Sequence, residues 1–332
     1  MKTVDLSKYG RQKDPFFFAL ETVLLEDLKE DLFFIWHVFG AVIIGKNQLI
    51  DTEVNQTYVK KENIDVFRRL SGGGAVYSDE GCIKYSFLSK THNKDQLFKE
   101  ALIKIKSVFD SMNIEVTVSG RNDILYGEKK FSGNAFYRNE HGSCLHGTIL
   151  YDTDFEKLVK SITPSNDKLI SKGIESVRQR VVNMKTIINE PIDLFEKRIE
   201  YTLTDGVYTL SASQEKRVFE KMKEFSLNAF IEGFNPPYQF VNKKRFDAGT
   251  IGIKVDVKKG LIEDMVIYGD FFSLGDIEAI RQLLLLTPFD LISIKDRLST
   301  IKIDTYIIGL KNDEFYDLFK EGLDGYKEDV SL

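Results

Sequence analysis

The stretch Arg68-Arg69-Leu70-Ser71-Gly72-Gly73-Gly74-Ala75-Val76-Tyr77-Ser78-Asp79-Glu80-Gly81 decides the reading of this chain. Two arginines precede three consecutive glycines, and a short β-favouring run follows. Glycine loses more conformational freedom on folding than any other residue and brings no side chain to a core. Three in a row mark either a tight hairpin turn or a place where a ligand lies against bare backbone. The flanks favour the ligand. An arginine grips phosphate or carboxylate with a planar fork of donors, and strand amides beside a glycine floor can hold an adenylate or an acyl phosphate.

The rest of the chain sets the frame. Its 332 residues suffice for two domains. A content of 42% hydrophobic and 29% charged residues is ordinary for a globular protein. The net charge of −5 argues against nucleic-acid binding, which needs a basic face. It is compatible with a small anion in a locally positive pocket. Cys82 and Cys144 make no disulfide framework and fit a reducing cytoplasm. The opening MKTVDLSKYGRQKDP lacks the apolar core of a signal peptide. The apolar run from Leu32 to Gly45 is broken by His37 and is too short for a membrane helix. A cytoplasmic monomer without nucleic-acid or membrane partners is expected.

Spacing predicts helices over Phe16–Leu28, opened by Asp14-Pro15, and over Asp95–Met112, whose stripe is Leu97, Ala101, Ile105, Val108 and Met112. Further helices are expected over Asp154–Ile162 and Ser213–Phe225, the second capped by Ser211 or Ser213. Strands are expected as a pair at Phe33–Val38 and Ala41–Ile44, then at Ile83–Leu88 and Ile114–Val118. Lys129–Tyr137 and Leu145–Tyr151 read as strands across a turn at Asn139–Gly142. Without regular βαβ alternation, this is an α+β chain with a largely antiparallel sheet. Gly233-Phe234-Asn235-Pro236-Pro237 is a natural break, followed by strands at Thr250–Val257 and Leu261–Tyr268 and a helix from Asp276, a small α/β appendage.

Two motifs resemble sites without their chemistry. Gly40-Ala41-Val42-Ile43-Ile44-Gly45-Lys46-Asn47 nearly matches a phosphate loop, but its middle is strand-forming and Asn47 replaces the magnesium-binding hydroxyl. It reads as a buried strand. His141, Cys144 and His146 are close in sequence, yet structural zinc takes four ligands and no fourth is paired with them. Cys144 and His146 would share one strand face, which admits a thiol nucleophile beside a base. A small buried cysteine on a core strand is the plainer reading.

A further polar passage runs through Ser119-Gly120-Arg121-Asn122-Asp123-Ile124 and Gly127-Glu128-Lys129-Lys130-Phe131-Ser132-Gly133-Asn134-Ala135. The lysines alone could be a solvated cluster. Ser132, Gly133 and Asn134 are small and polar, however, poor core material and suited to backbone cleared for a ligand. If these strands face the glycines, Lys130 and Arg69 converge on one polar cleft.

Together RRLSGGGAVY, SGRNDI, KKFSGNA and LHGTIL resemble the lipoate–protein ligase family, and KLISKGIESVRQRVVN at Lys168–Asn183 is similar to the sequence that follows its catalytic core. The resemblance is strong over roughly residues 30 to 185. It implies a biotin/lipoyl-ligase-like catalytic domain over residues 1–245, with flanking helices, and a small C-terminal accessory domain over residues 246–332. It implies ATP, magnesium and lipoate, or octanoate, as the small molecules. By the same resemblance, lipoyl-adenylate would form with release of pyrophosphate, and the acyl group would pass to a lysine of an apo lipoyl domain, on a 2-oxoacid dehydrogenase E2 subunit or the glycine cleavage H protein. Carried over by motif, Arg69, Gly74, Ala75, Val76, Tyr77, Asn122 and Asp123 would meet the nucleotide, with magnesium at Asp123. Ser71, Gly72, Gly73, Gly74, Ser132, Gly133, His146, Gly147 and Thr148 would line the lipoyl site. Lys130 would be catalytic, bridging carboxylate and α-phosphate.

Charge repulsion between an anionic carboxylate and an anionic phosphate opposes adenylation, and a fixed cation between them stabilises the transition state. The family pattern after the glycines continues His-Asp-x-Gly-Asn, whereas this chain has Ser78-Asp79-Glu80-Gly81-Cys82. That departure bears on substrate range and carrier preference. The rival is an ATP-independent octanoyl or lipoyl transferase acting through a cysteine thioester at Cys144 or Cys82. Such relatives keep their cysteine before the lysine motif, where this chain has Ser-Gly-Arg-Asn-Asp.

Overall fold

The computed structural model describes residues 1–120, 122–162, 175, 177–233 and 240–329. They fall into two compact units: Met1–Ile43, Asp51–Leu70 and Ala75–Ile231 in one, and Ile44–Ile50, Ser71–Gly74 and Glu232–Leu332 in the other.

The first unit is built on an eight-stranded mixed sheet. In chain order its strands are β1 (Lys2–Val4), β2 (Leu32–Trp36), β6 (Cys82–Ser89), β7 (Thr117–Ser119), β8 (Asp123–Tyr126), β9 (Lys129–Arg138), β10 (Ser143–Leu150) and β11 (Gly206–Tyr208). The spatial order is β11-β1-β2-β6-β10-β9-β8-β7, parallel only at the β11-β1-β2 edge. A second sheet, β4-β3-β5, uses β3 (Ala41–Ile44), β4 (Asp65–Arg68) and β5 (Val76–Ser78). The expected pairing of the strands on either side of Phe39-Gly40 is therefore corrected. β2 pairs with β1 and β6, whereas β3 pairs with β5. Both strands are almost wholly buried, so neither needs the other to cover an apolar face. The phosphate-loop lookalike is strand β3.

Helices cover both faces of the large sheet. Asp14–Glu26 packs on β6 and β10 and against Ala212–Phe225. Its Asp14-Pro15 start suits a first turn, where proline's missing N–H costs nothing. Ala212–Phe225 opens with a capping box: Ser211 Oγ accepts from Gln214 N (3.2 Å), and Gln214 Oε1 accepts from Ser211 N (3.0 Å). On the opposite face lie Lys94–Asp110, capped by Asn93, and Ile192–Leu203. Phe109 of the first meets Phe131 of β9 at 4.9 Å and Phe195 of the second at 5.6 Å. The strand expected over Ile114–Val118 is shorter and later, Thr117–Ser119.

The second unit carries an antiparallel sheet of β12 (Phe240–Phe246), β13 (Gly249–Lys258) and β14 (Leu261–Gly269). It is covered by helices Glu278–Leu284, Leu291–Leu298 and Asn312–Asp329 around a core that includes Ile251, Ile253, Val255, Phe271, Phe315 and Phe319. β12 pairs along its whole length with β13, so this sheet begins before residue 246. Residues 234–237 of the expected break, and all of Lys168–Asn183 except Glu175 and Val177–Asn183, lie outside the described residues. No described helix is long and apolar enough to cross a membrane.

Candidate active site

Strand register sorts the polar residues onto faces. Cα partners on neighbouring strands point their side chains the same way. Trp36 pairs with Lys84, Lys84 with Thr148 and Thr148 with Gly133; Ser86 pairs with His146 and His146 with Ala135. Trp36, Lys84, Ser86, His146, Thr148 and Gly133 therefore share the face that receives helix Asp14–Glu26. Ser132, Asn134, Tyr85 and Gly147 belong to the other face by the same alternation. The lipoyl residues expected from motif position are thus divided: His146, Thr148 and Gly133 stand together, while Ser132 and Gly147 turn toward Tyr85.

Lys130 is where the alternation breaks. On β8, Ile124 and Leu125 are consecutive, but they face Ser132 and Lys130 on β9, leaving Phe131 extra. This is a β-bulge, which bends a strand and re-aims a side chain. Phe131 and Phe136, five residues apart, both reach helix Lys94–Asp110, through Phe109 and Phe98. Regular alternation would have put them on opposite faces. The bulge consequently swings Lys130 onto the face of Gly133. Its Nζ lies 2.8 Å from where a Gly133 Cβ would be and 2.7 Å from Asp123 Oδ1. Gly133 is clearance for the lysine, and any side chain there would displace the ammonium.

Around the deeper part of this face is a buried polar network. Trp36 Nε1 donates to Ser86 Oγ (3.0 Å), Ser86 Oγ donates to Glu21 Oε1 (2.6 Å), and His146 Nδ1 lies 3.0 Å from the same oxygen. Lys84 and Asp14 form a buried ion pair at 2.6 Å, with the ammonium 4.6 Å from the Trp36 ring centroid. Glu21 and Asp14 are seven residues apart and so lie on one helix face. From sequence, Asp14 stands out only as the helix start and Glu21 not at all, although two acidic residues seven apart on an otherwise apolar helix face are a legible signal.

Cys144 and His146 do share a strand face, and the donor atoms of Glu21, Cys144 and His146 lie within 4.8 Å of one another. Glu21 is already hydrogen-bonded, and three donors fall short of a structural zinc set. His141 is elsewhere, half-exposed beside Glu140. Burial pushes the Cys82 thiol up to about 11, and burial followed by the neighbouring Glu21 pushes Cys144 well above its ordinary value. A thioester route needs a thiolate at neutral pH, and both sites oppose one.

Asn122 is a strut. Its carbonyl accepts from Asn134 N (2.9 Å) and Nδ2 (3.0 Å), and its own Nδ2 donates to Asn134 O (2.7 Å). Arg69 follows β4, is buried, and donates from Nη1 to the Ile43 carbonyl (3.1 Å); burial lowers its pKa to about 10. Arg68 donates to the carbonyls of Phe230 and Ile231. Tyr77 lines a cleft of about 670 Å³ in the first unit, with Asp79, Glu80 and Gly81. The glycines belong to the second unit. A Cβ on Gly72 would meet the Phe271 carbonyl oxygen at 2.3 Å, Gly73 has φ +90°, and Gly74 has open space around it. Gly72 is thus required by a close approach of backbone, and Gly73 by its left-handed conformation.

Comparison with known proteins decides the family. Residues 15–203, more than half of the chain, match the lipoyl protein ligase A/B catalytic domain, and residues 235–319 match the bacterial lipoate protein ligase C-terminus. The chain belongs to the lipoate–protein ligase family. Lipoate–protein ligase 1 of Staphylococcus aureus is 35% identical, over 87% of this chain and 91% of its own. The Bacillus subtilis ligase LplJ is 33% identical, over 84% and 87%. Among solved structures, P. falciparum LipL1 in complex with lipoate superposes with TM-score 0.76 at 22% identity, covering 95% of this chain and 96% of that one. A bipartite ligase from Thermoplasma acidophilum, described with its E2 lipoyl domain, gives 0.63 at 22% identity over 72% and 98%. A lipoate–protein ligase A bound with ATP gives 0.61 at 21% identity over 70% and 98%. The expected α+β architecture, ligase family and enzyme class are all borne out.

Proposed function

We propose that this ligase activates lipoate with ATP, releasing pyrophosphate, and passes the lipoyl group from the adenylate to a lysine of an apo lipoyl domain. The observation that carries the reading is the bulge-directed ammonium of Lys130, clear over Gly133 and on the same sheet face as Thr148 and His146. In this reading the acyl chain runs along that face, and its carboxylate ends at Lys130. The ammonium shifts from Asp123 to the carboxylate and α-phosphate, where it offsets the charge that develops as they join. Solved relatives described with lipoate, with ATP and with an E2 lipoyl domain support the three substrates.

Arg69, whose buried guanidinium keeps a desolvated charge, is proposed to face the nucleotide with Gly74, Ala75, Val76 and Tyr77. Asp123 offers one carboxylate, enough for magnesium when phosphate oxygens complete the shell. The catalytic work is assigned to residues 1–245, and an accessory role to residues 246–332.

Lys130→Ala tests the reading. Lipoate-dependent exchange of pyrophosphate into ATP should fall on the order of a hundredfold or more, with the circular dichroism spectrum retained. Unchanged exchange would refute the role given to Lys130.

A further inference from the structure

We propose that Tyr85, on the far face of the sheet from the substrate, is a positioning residue for Lys130; the proposal rests on the catalytic reading of that lysine. Tyr85 is fully buried, and its hydroxyl donates to Asn134 Oδ1 at 2.5 Å. Ser132 Oγ stands 3.2 Å from the same hydroxyl and accepts from Asn134 Nδ2 at 3.3 Å. An asparagine amide has one acceptor end and one donor end, and only its partners determine which way it faces. The Asn122 carbonyl can only accept, so it takes the Asn134 nitrogen, and the Tyr85 hydroxyl, donating to the Asn134 oxygen, seats the amide in that orientation from the other side. A flipped amide would set two oxygens against each other there.

The consequence travels one residue. Asn122 precedes Asp123, and Asp123 is the carboxylate that holds Lys130 at 2.7 Å. Three hydrogen bonds of 2.7 to 3.0 Å tie Asn122 to Asn134, one of them from the amide nitrogen that Tyr85 seats from behind, so this clamp helps fix where β8 begins and where the Asp123 side chain stands. Gly147 belongs to the same arrangement. A Cβ there would lie 2.3 Å from Asn134 Oδ1 and 2.5 Å from Tyr85 Cζ and hydroxyl. The glycine of the LHGTIL motif makes room for this clamp.

The test is Tyr85→Phe, which removes the hydroxyl and leaves the ring. Lipoate-dependent pyrophosphate exchange should fall roughly tenfold to a hundredfold, the scale expected when a reacting group is displaced by a fraction of an ångström to one ångström. Transfer from supplied lipoyl-AMP to an apo lipoyl domain should be unchanged. In the Lys130→Ala background the same substitution should cause no further loss, because its effect passes through the lysine. Asn134→Ala should give the same split between half-reactions, and serves if Tyr85→Phe does not fold. Unchanged exchange, equal losses in both half-reactions, or additive loss in the double variant would each overturn the positioning role. If Lys130→Ala alone keeps full exchange, the catalytic reading falls and this proposal with it; if only Tyr85→Phe is silent, this proposal alone falls.

Discussion

Asp14→Asn should destabilise the first unit more than almost any other single change of similar size. The carboxylate it removes is the partner of Lys84, and the two side chains are only 1% and 3% exposed. At 2.6 Å and an effective dielectric near 20, their attraction is about 6 kcal/mol, most of it offset by the cost of drying both charges. Among the described residues Asp14 Oδ2 has no hydrogen-bond partner, which leaves that cost only partly compensated. The net worth of the pair is therefore small, but losing one member strands an ammonium between strands and helix. Such losses run to about 3–5 kcal/mol. Lys84→Met alone strands the carboxylate instead, with a similar cost. The double variant Asp14→Leu, Lys84→Met should recover most of either loss, since two apolar side chains need no partner. Trp36 is the only tryptophan in the chain, and its ring lies 4.6 Å from the ammonium, so its fluorescence in a urea titration reports this site alone. A midpoint shift at constant slope gives the stability change. A loss below about 1 kcal/mol for Asp14→Asn, or a double variant worse than both singles, would refute the reasoning.

Two other outcomes are expected. The Cys82 thiol is raised by burial from 9.0 to about 11, so the unfolded chain ionises first as pH rises. The stability it contributes is complete below pH 9 and lost between 9 and about 11, by at most about 2–3 kcal/mol. Cys82→Ala should flatten the stability curve across that window relative to the parent; an unchanged slope would count against a buried thiol. Gly147→Ala should cost about 1–3 kcal/mol of stability through overpacking against Tyr85 and Asn134. It should also impair pyrophosphate exchange, and a neutral melt would show that the clamp yields easily.

The sequence carried the long elements and the chemistry, and for physical reasons missed the short ones. Asp14–Glu26 and Lys94–Asp110 have enough turns for an apolar stripe to be periodic, and the β9–β10 hairpin has alternation on both arms. Lys2–Val4 and Gly206–Tyr208, three residues each, are too short for any period and form only because they pair with each other and with β2. At Phe39-Gly40 adjacency in sequence points to the wrong partner, because local pattern says nothing of which sheet a strand joins. The site was legible as a set of motifs but not as a geometry. Motif position put Ser132 and Gly133 together, whereas alternation places them on opposite faces. Nothing in KKFSGNA announces that Phe131 is a bulge. Tyr85 and Glu21 are silent in the sequence because each lies in an ordinary core element and gains its meaning from a partner more than forty residues away.

The bulge at Phe131 makes the direction of Lys130 a matter of counting. Whether the ammonium faces the acyl side or the opposite helix layer depends on one surplus residue, while the strand beyond it keeps its register with β10. Straightening the bulge with Phe131 retained would invert the lysine without disturbing Thr148 or His146, whereas deleting Phe131 would leave Lys130 beside Ser132 and still on the face of Gly133. What directs the ammonium is therefore the shape of the strand between Lys129 and Ser132 more than the identity of the side chains around it.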